Sequence, residues 1–467
     1  MDDASRHAAA EAKDPRFDGV FFIGVTSTGI YCRCVCPART PKRENRRFFA
    51  SAAAAERHGF RPCLVCRPEA APGVAPIDRG DALAGAAFAE IEAGALEEAG
   101  LETLACRLGV TSRHLRRVTL AAFGANPIDL AQTHRLLTAK RLLQETQMSA
   151  TAVAFASGFK SLRRFNALFQ SRYGLTPSRV RARAARPHGG GVRVRLAARA
   201  TYVAAPMFAF LAARAITGLE CVDGETYTRT LTIKGAHGAV RVEAFAHGVD
   251  LIVSDDLAPH LRAIIARVRR AFDLDADIDA IDAALARAGG ALAADVAARP
   301  GVRLPGGLDA FEIALRAVLG QQVTQPAGRA LAEKLVRRFG APVDGARFGI
   351  AGADGLDRLV PDAADFAGRE VEDIAALGMP RARAATVLRA AAAFVAGDGP
   401  DALAGVPGVG PWTRAYVRLR AFGDPDAAPP GDAALARAGG DPSAMLAPWR
   451  GYATIRLWTA ATPGAAV

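Results

Sequence analysis

The spacing of apolar positions divides the chain into segments of different secondary structure. Residues 102–124 and 151–181 place apolar side chains at helical spacing, and each segment is interrupted by a glycine, Gly109 or Gly158. Each glycine predicts a tight turn followed by a second helix, which begins at about Thr111 in the first segment. These two patterns predict a pair of helix-turn-helix motifs.

A different pattern follows between residues 192 and 254. The runs VRVRLAA, TYTRTLTI and GAVRVEAFAHGVDLIVS alternate and are rich in β-branched residues, which predicts strands. From about residue 300, helical patterns return and are punctuated by Gly and Pro. We therefore expect a multidomain protein that is mainly α with α+β parts.

Two stretches without periodicity predict linkers. Residues 70–80 mix Pro, Gly and Ala, and residues 181–191 are basic and then rich in Gly. A chain of 467 residues is too long for one hydrophobic core. We expect four domains, which span residues 1–75, 80–185, 192–298 and 299–462.

Positive charge is concentrated in one block of the chain. The whole sequence has a formal net charge of +12, but residues 101–200 contain 18 Lys and Arg against 3 Asp and Glu, or +15. The remaining residues together are therefore close to neutral. A basic block that coincides with two predicted helix-turn-helix motifs indicates contact with a phosphate backbone.

The sequence predicts neither a signal peptide nor a membrane span. The N-terminal residues MDDASRHAAAEAKD have no apolar core, and the most apolar stretch, residues 200–213, contains Pro206 and is too short to cross a bilayer. We expect a cytoplasmic, nucleoid-associated protein. Disulfides are disfavoured in that compartment, so clustered cysteines favour metal binding or chemistry.

Five of the seven cysteines lie between residues 32 and 66. Cys63 and Cys66 have the CxxC spacing with which two thiolates bind one tetrahedral zinc ion. The upstream pair is Cys32 with either Cys36 or Cys34. Spacing thus predicts one four-thiolate Zn²⁺ site, and by itself it favours a purely structural zinc in a domain too small for its own core.

The residues around these cysteines change that interpretation. The segments STGIYCRCVCPAR, KRENRRFF and AAAERHGFRPCLVCRP, within residues 15–69, resemble the N-terminal zinc domain of the Ada family. The resemblance implies four zinc ligands, which are Cys32, Cys36, Cys63 and Cys66. It implies that Cys32 also accepts a methyl group from a DNA methylphosphotriester, and that Thr28 and Arg39 contact the DNA backbone. Cys34 departs from the family pattern.

The basic block carries a more specific pattern. Residues 83–183, with the ending GF…S…F…F…GLTPS…R, resemble the AraC-type regulator domain, in which a helix of each motif enters the major groove. The resemblance implies six DNA-facing side chains, which are Arg113, Arg116, Arg117, Lys160, Arg163 and Arg164. It also implies transcription regulation, with promoter DNA and RNA polymerase as partners. The alternative is a helical bundle with incidental arginines.

The segment LAGVPGVGPWTRAYVRLRAF contains PGVG between two predicted helical stretches. Gly408 and Gly410 let the backbone approach a DNA phosphate, and the amides at the start of the next helix point toward it. An acidic cluster follows at residues 424–432. This combination resembles the helix-hairpin-helix DNA glycosylase superfamily, whose catalytic aspartate lies shortly after the hairpin.

Further segments resemble the AlkA family of 3-methyladenine DNA glycosylases across residues 192–462, including LPGGLDAFEIALRAVLGQQVT, LGMPRARA and APWRGYATIRLW. The resemblance implies a mixed α/β domain followed by an all-α glycosylase domain. It implies that Asp432 is the catalytic carboxylate and that Gln322 fills the gap left by a flipped base. Asp424 and Asp426 are rival carboxylates, and Asp426 is better interpreted as a cap or turn residue.

Aromatic residues in the same region predict a pocket for alkylated purines, whose positive charge favours cation–π contact. The candidates are Trp412, Tyr416 and Trp449, and Trp458 is equally compatible with a plain core position. Lyase-type relatives carry a Schiff-base lysine at the position of Trp412. We therefore expect a monofunctional hydrolase that does not cut the DNA strand.

Together, these patterns predict a DNA alkylation repair and response protein with zinc as its cofactor and alkylated and promoter DNA as its ligands. Repair of O6-methylguanine is not expected, because Cys106 and Cys221 lack a PCHR-type context. The alternative is a repair glycosylase whose N-terminal half only targets it to DNA, without a transcriptional role. Asp432 argues against a pure regulator with an inactive glycosylase domain.

Overall fold

The computed structural model describes residues 1–75, 81–181, 190–397, 399–432, 435–436 and 446–460. The chain forms two compact units. The first unit comprises Met1–Ala200, Ala258–Ala266 and Leu274–Asp277, and the second comprises Thr201–Leu257, Arg267–Asp273 and Ile278–Val467. Two units are a coarser division than the four expected domains, whose boundaries remain a prediction. No described helix is long and apolar enough to cross a membrane.

The first unit consists mainly of helices, with a small sheet near its N-terminus. Its α-helices are α1 (Asp3–Ala12), α2 (Ala52–Arg57), α3 (Ala82–Ala93), α4 (Ala95–Glu98), α5 (Leu101–Arg107), α6 (Ser112–Phe123), α7 (Pro127–Glu145), α8 (Ala150–Ala156), α9 (Leu162–Tyr173) and α10 (Pro177–Arg181). Its strands are β1 (Phe22–Val25), β2 (Ile30–Arg33), β3 (Arg46–Phe49), β4 (Arg61–Pro62) and β5 (Val192–Ala197). Its short 3₁₀ helices are Pro15–Phe17, Arg43–Asn45 and Pro68–Ala70.

The small sheet has the strand order β3-β1-β2-β4. Strand β1 is antiparallel to β2 and β3, and its register places Ile23 opposite Cys32. Strand β4 is parallel to β2, with Tyr31 opposite Pro62. Cys32 on β2 and Cys63 directly after β4 therefore lie side by side at one edge of the sheet.

Both predicted helix-turn-helix motifs are confirmed. Gly109 joins α5 to α6 with a φ of +69°, and Gly158 joins α8 to α9 with a φ of +86°. A positive φ favours glycine because that residue has no Cβ to clash with the backbone. The side chains of Thr111 and Ser161 accept backbone N–H groups in the first turns of α6 and α9, so both second helices begin at a side-chain cap.

The second unit combines an antiparallel sheet with a helical part. Its α-helices are α11 (Ala205–Ala212), α13 (Ile278–Ala286), α14 (Gly290–Ala298), α15 (Ala310–Leu319), α16 (Gln325–Phe339), α17 (Val371–Ala375), α18 (Arg381–Ala396), α19 (Pro411–Phe422) and α20 (Arg450–Ala460), and α12 (Leu261–Ala271) has residues in both units. Its strands are β6 (Glu220–Asp223), β7 (Thr226–Ile233), β8 (Ala236–Phe245) and β9 (Gly248–Val253). Its 3₁₀ helices are Gly345–Phe348 and Ala363–Phe366, and the 3₁₀ helix Asp255–His260 has residues in both units.

Strands β6 to β9 form an antiparallel meander, which confirms the predicted strands and adds β6. The helical part has its core between α15, α16, α18 and α19, where Leu315, Leu335, Val387 and Val417 are buried together. One local prediction is wrong. Residues 400–405, directly before the PGVG segment, form turns and not a helix, and the nearest upstream helix is α18.

Candidate functional site

Four cysteine sulfurs converge at the edge of the small sheet. The Sγ atoms of Cys32, Cys36, Cys63 and Cys66 all lie within 4.8 Å of one another. Sulfurs that bind one zinc ion tetrahedrally at about 2.3 Å stand about 3.8 Å apart, so this arrangement suits the ion. The amide of Arg33 donates to Cys66 Sγ at 3.3 Å, which favours a thiolate at that sulfur.

Cys34 does not belong to this group. Its thiol donates to the backbone oxygen of Asp14 at 3.4 Å, and its side chain packs with Ala10, Phe21 and Ile23. Burial raises the pKa of the Cys34 thiol to about 12, so the thiol stays protonated at neutral pH. Of the two upstream ligands that the spacing allowed with Cys32, the geometry therefore selects Cys36.

The four sulfurs differ in their access to solvent. Cys32 is half-buried, whereas the other three cysteines are buried. Thr28 is exposed in the turn after β1, where its hydroxyl donates to the backbone oxygen of Val25 at 3.4 Å. Arg39 is exposed and, within the described residues, has no ion pair or hydrogen bond. A molecule that approaches from outside therefore meets Cys32 before the other ligands.

A buried ion pair fixes the second cysteine pair to α7, the helix that joins the two helix-turn-helix motifs. The ammonium group of Lys140 donates to Glu69 at 2.6 Å and to the backbone oxygen of Cys63 at 3.4 Å. Both charged side chains are at most 2% exposed. Arg67 forms a further ion pair with Glu145 at the end of α7. No local pattern predicts these contacts, because the partners lie more than 70 positions apart.

A buried carboxylate makes a second connection within the same unit. Glu56 on α2 accepts hydrogen bonds from Tyr31 at 3.1 Å and from Thr133 on α7 at 2.8 Å. Burial raises the pKa of Glu56 to about 7, although these hydrogen bonds and Arg172 oppose the shift. Tyr31 precedes Cys32 on β2, so Glu56 links the cysteine-bearing strand to α7, which joins the two helix-turn-helix motifs.

The six predicted DNA-facing side chains are all exposed. They are Arg113, Arg116 and Arg117 on α6, Arg163 and Arg164 on α9, and Lys160 just before α9. Most form no ion pair or hydrogen bond within the described residues, and Arg117 contacts His114 at 3.1 Å. These charges are therefore available to bind phosphates or base edges in a groove.

The two glycines of the PGVG segment differ in their surroundings. Gly408 has a φ of +89°, and a Cβ at this position would lie 2.0 Å from the hydroxyl oxygen of Thr386. Its backbone oxygen accepts a hydrogen bond from Gln321 at 3.0 Å. A Cβ at Gly410, the residue before α19, would meet open space. The close contact with Thr386 therefore explains why residue 408 is a glycine. Gly410 instead leaves the start of α19 open to an approaching phosphate.

Among the described residues, three N–H groups donate hydrogen bonds to the carboxylate of Asp432. The indole nitrogen of Trp412 donates to Oδ2 at 2.8 Å, and the indole nitrogen of Trp458 donates to Oδ1 at 3.0 Å. The amide of Leu435 adds a third bond to Oδ1 at 2.9 Å. Trp458, which the sequence made equally compatible with the pocket and with a plain core position, thus contacts the carboxylate. The contact could not be predicted from a local pattern, because Trp458 lies 26 residues after Asp432.

Three aromatic rings adjoin the carboxylate. Trp412 and Tyr416 stack with ring centres 5.1 Å apart and an interplanar angle of 14°, and Tyr416 lies 5.9 Å from Trp458. Trp449, the other predicted pocket residue, instead packs edge-on against Tyr452 at 6.0 Å. Among the described residues, the aromatic cluster around Asp432 is therefore formed by Trp412, Tyr416 and Trp458.

The two rival carboxylates have other contacts. Asp426 forms an ion pair with Arg450, with 2.7 Å between Oδ1 and Nε. Asp424 accepts the amide of Asp426 at 3.0 Å and so stabilises the turn that contains Asp426. Asp426 therefore lies in a turn, as predicted, and its carboxylate is engaged by a guanidinium.

Gln322 has an unusual backbone conformation. Its φ of +54° is in the left-handed region, which residues other than glycine adopt at an energetic cost. Gln322 is exposed, as is the next residue, Val323. A strained, exposed position at the end of α15 suits a side chain that projects away from the protein.

Three segments of the chain match known protein families. Residues 5–69 match the metal binding domain of Ada, residues 104–183 match a helix-turn-helix domain, and residues 193–309 match the AlkA N-terminal domain. The matched segments correspond to three of the four patterns recognised in the sequence.

Whole-length similarity extends across both units. The chain is 39% identical to the "Probable bifunctional transcriptional activator/DNA repair enzyme AlkA" of Mycobacterium tuberculosis, over 98% of this chain and 96% of that protein. It is 30% identical to "DNA-3-methyladenine glycosylase 2" of Escherichia coli, over 54% of this chain and 92% of that protein. It is 33% identical to "Bifunctional transcriptional activator/DNA repair enzyme Ada" of Escherichia coli, over 41% of this chain and 50% of that protein.

Proposed function

The chain belongs to the family of bifunctional transcriptional activators and DNA repair enzymes related to AlkA and Ada, and we propose that it joins two reactions on alkylated DNA. The first hydrolyses the N-glycosidic bond of an alkylated base of the 3-methyladenine type. The second transfers a methyl group from a phosphotriester to Cys32 and thereby changes DNA binding. The observation that carries the first reaction is the carboxylate of Asp432, held by Trp412 and Trp458 beside an aromatic cluster.

The geometry suits a monofunctional glycosylase. Asp432 stabilises the positive charge that develops on the sugar when the bond from C1′ to the base breaks. The N–H donors fix the orientation of the carboxylate, and their hydrogen bonds stabilise its charged form. The faces of the adjacent rings attract a cationic base, and water completes the reaction at C1′. Trp412 offers no amine, so no covalent enzyme–DNA adduct forms at that position.

Substitution of the carboxylate tests this activity. Asp432→Asn should lower the release of 3-methyladenine from methylated DNA at least roughly 100-fold, about 3 kcal/mol, because an amide cannot stabilise a sugar cation. Binding to an abasic-site analogue should remain. The control, Asp426→Asn, should cost much less because Asp426 pairs with Arg450. Full activity of Asp432→Asn, or efficient trapping of a DNA adduct by borohydride, would overturn the assignment.

The cysteine cluster suits methyl transfer. A bound zinc ion keeps its cysteine sulfurs deprotonated and nucleophilic at neutral pH. Cys32, the half-buried sulfur, attacks the methyl carbon, and the bond between that carbon and the phosphotriester oxygen breaks to leave a phosphodiester anion. Four thiolates with Zn²⁺ carry a net charge of about −2, and methylation changes it to about −1. Repulsion from the DNA backbone decreases, and the exposed basic side chains of α6 and α9 bind more tightly.

Mass spectrometry and promoter binding test this second reaction together. After exposure to methylated DNA, one added methyl group is expected on Cys32, and promoter affinity should rise most at low salt, where charge effects are least screened. Methylated protein should then stimulate transcription by RNA polymerase, the further partner that we propose. A methyl group on Cys36 or Cys34 would contradict the assignment. Unchanged promoter binding after methylation would favour an N-terminal half that only targets the glycosylase to DNA.

A further inference from the structure

The glutamine before Gln322 joins the turn after α15 to the PGVG segment. The side-chain amide of Gln321 donates to the backbone oxygen of Gly408 at 3.0 Å and to the hydroxyl oxygen of Thr413 at 3.1 Å. Thr413 is a buried residue in the first turn of α19. A side-chain amide has two N–H groups, and both are used here to hold the turn against a segment that lies 87 to 92 positions away.

The backbone of the same turn is held from a third element. The guanidinium of Arg383, in the first turn of α18, donates to the backbone oxygen of Gln321. Thr386, further along the same helix, lies so close to Gly408 that a Cβ there would not fit. Gln321 therefore lies where the end of α15, the start of α18 and the PGVG segment meet.

These contacts adjoin a strained residue. Gln322 has a φ of +54°, and a residue other than glycine keeps such a conformation only where the surrounding structure fixes the backbone. Gln322 is exposed, whereas the contacts from Gly408, Thr413 and Arg383 act on its neighbour Gln321. The hydrogen bonds of Gln321 therefore help to fix the backbone from which the Gln322 side chain projects.

We propose that Gln321 is a positioning residue for base flipping, which holds Gln322 at a fixed distance from the phosphate bound at the PGVG segment. The Gln322 side chain enters the gap left by a flipped base only when its turn is in place beside that phosphate. Because Gln321 bonds the turn to the PGVG segment, the two DNA contacts form in one arrangement. This inference rests on the proposed glycosylase function and on the predicted insertion of Gln322.

The expected loss is confined to insertion and flipping. Without the Gln321 amide, the turn populates other conformations, and Gln322 occupies the gap in a smaller fraction of the bound protein. A base in a normal pair depends most on this help, because unpairing it costs free energy. A base without a partner leaves the stack more readily and depends on it less. Damage to the Asp432 site would instead slow the release of both bases equally.

A duplex with an abasic-site analogue opposite 2-aminopurine measures insertion without any bond cleavage. A side chain in the gap changes the stacking of 2-aminopurine and therefore its fluorescence. The wild-type chain should produce this change on binding, and Gln322→Ala should not. Gln321→Leu should lower the equilibrium constant for insertion, obtained from amplitude and affinity together, roughly 30-fold, a factor of about 5 for each of two neutral hydrogen bonds. Its binding to undamaged duplex should change less than about 3-fold, because charge dominates that binding.

Single-turnover release of 7-methylguanine measures the effect on flipping. Gln321→Leu should lower the rate roughly 30-fold when the lesion is paired with cytosine. It should lower the rate less than about 5-fold when the lesion lies opposite an abasic-site analogue, because no pair then has to be broken. This difference between the two duplexes separates a positioning role from general damage to the fold.

Two further substitutions serve as controls. Thr413→Val removes one acceptor with little change of shape and should lower the insertion constant about 5-fold, a result that stands alone if Gln321→Leu is too unstable to assay. Added to Gln321→Leu, it should have no further effect, because the shared hydrogen bond is already absent. Lys334→Met removes a hydrogen bond of 3.2 Å to the backbone oxygen of Leu377 in the same unit and should leave insertion unchanged.

Three outcomes would overturn the inference. They are an unchanged insertion constant in Gln321→Leu, an equal loss of release from the two lesion duplexes, and a fluorescence change that persists in Gln322→Ala. A wild-type chain that shows the insertion signal but releases no base would instead overturn the proposed glycosylase function.

Discussion

The two reactive centres of this chain hold negative charge by opposite means. At the first centre, four cysteine sulfurs lie within 4.8 Å of one another, so a cation is needed to offset their mutual repulsion as thiolates. At the second centre, the single carboxylate of Asp432 is held by neutral N–H donors from two indole rings and one amide. One centre therefore depends on a metal for its assembly, and the other depends on the packing of its own side chains.

This difference corresponds to how often each centre reacts. In the proposed methyl transfer, Cys32 changes from a thiolate into a thioether, so the first centre is used once and keeps a lasting record of damage. The proposed hydrolysis of a glycosidic bond leaves the Asp432 carboxylate unchanged, so the second centre turns over. A charge that the reaction removes suits a signal, and a charge that the reaction preserves suits a catalyst.

The largest effect is expected from loss of a cysteine ligand. Cys63→Ser should abolish zinc binding and unfold the segment around the small sheet, because that segment has only small clusters of buried apolar side chains. Metal analysis and circular dichroism would measure both effects. Cys34→Ser is the matched control and should keep one zinc ion per chain. Unchanged zinc content in Cys63→Ser would contradict the conclusion that the first centre depends on a metal held by these four cysteines.

The next effect concerns the buried ion pair of the first unit. Lys140→Met should lower the free energy of unfolding by about 3 kcal/mol, because Glu69 remains buried and loses its closest partner. Chemical denaturation, monitored through the release of zinc, would measure the free energy of unfolding of this unit. Lys160→Met, at an exposed lysine, should leave the free energy unchanged. A similar small effect for both variants would show that the loop with Cys63 is not fixed through Lys140.

Glu56 is expected to make the free energy of unfolding depend on pH. Its folded-state pKa of about 7 exceeds the ordinary value of 4.5, so the folded chain binds more protons between these two values. Stability should therefore fall as pH rises from about 4.5 to about 7, by up to about 3 kcal/mol. Glu56→Gln should remove this dependence, whereas Glu44→Gln, at an exposed carboxylate, should not. Parallel stability curves for wild type and Glu56→Gln would contradict the assignment.

The smallest expected effect is a change in the rate of base release that distinguishes Trp458 from Trp449. Trp458→Phe removes one N–H donor from Asp432 and should slow base release about 10-fold, the cost of one hydrogen bond to a charged group. Trp449→Phe should change the rate little, because Trp449 packs against Tyr452. Single-turnover rates on methylated DNA would compare the variants. If Trp449→Phe proved the slower of the two, the cluster would need Trp449 as a member.

The sequence allowed prediction of features with short repeats or distinctive residue types. Cysteine spacing and family resemblance identified the four sulfurs that converge, and Gly109 and Gly158 marked the turns of both helix-turn-helix motifs. In these cases the relevant contacts lie within one motif. Local pattern therefore contains most of the information that determines them.

Contacts between distant segments could not be predicted in this way. Trp458 contacts Asp432 across 26 positions, and Lys140 contacts Glu69 across 71. The packing of Gly408 against Thr386 likewise depends on two separate segments, which are α18 and the PGVG segment before α19. Neither hydrophobic periodicity nor spacing distinguishes such residues from ordinary core or surface positions, because their partners are chosen by tertiary folding.

Helix α19 limits which nucleotide of a bound DNA strand can reach Asp432. Its first turn begins at the open Gly410, and Trp412 on the same rigid helix holds Asp432. If a phosphate binds at Gly410, the helix sets a fixed distance between that phosphate and the sugar that reacts. Only a nucleotide at one fixed step along the strand can then present its C1′ to the carboxylate. Each base must then occupy that single alignment to be released.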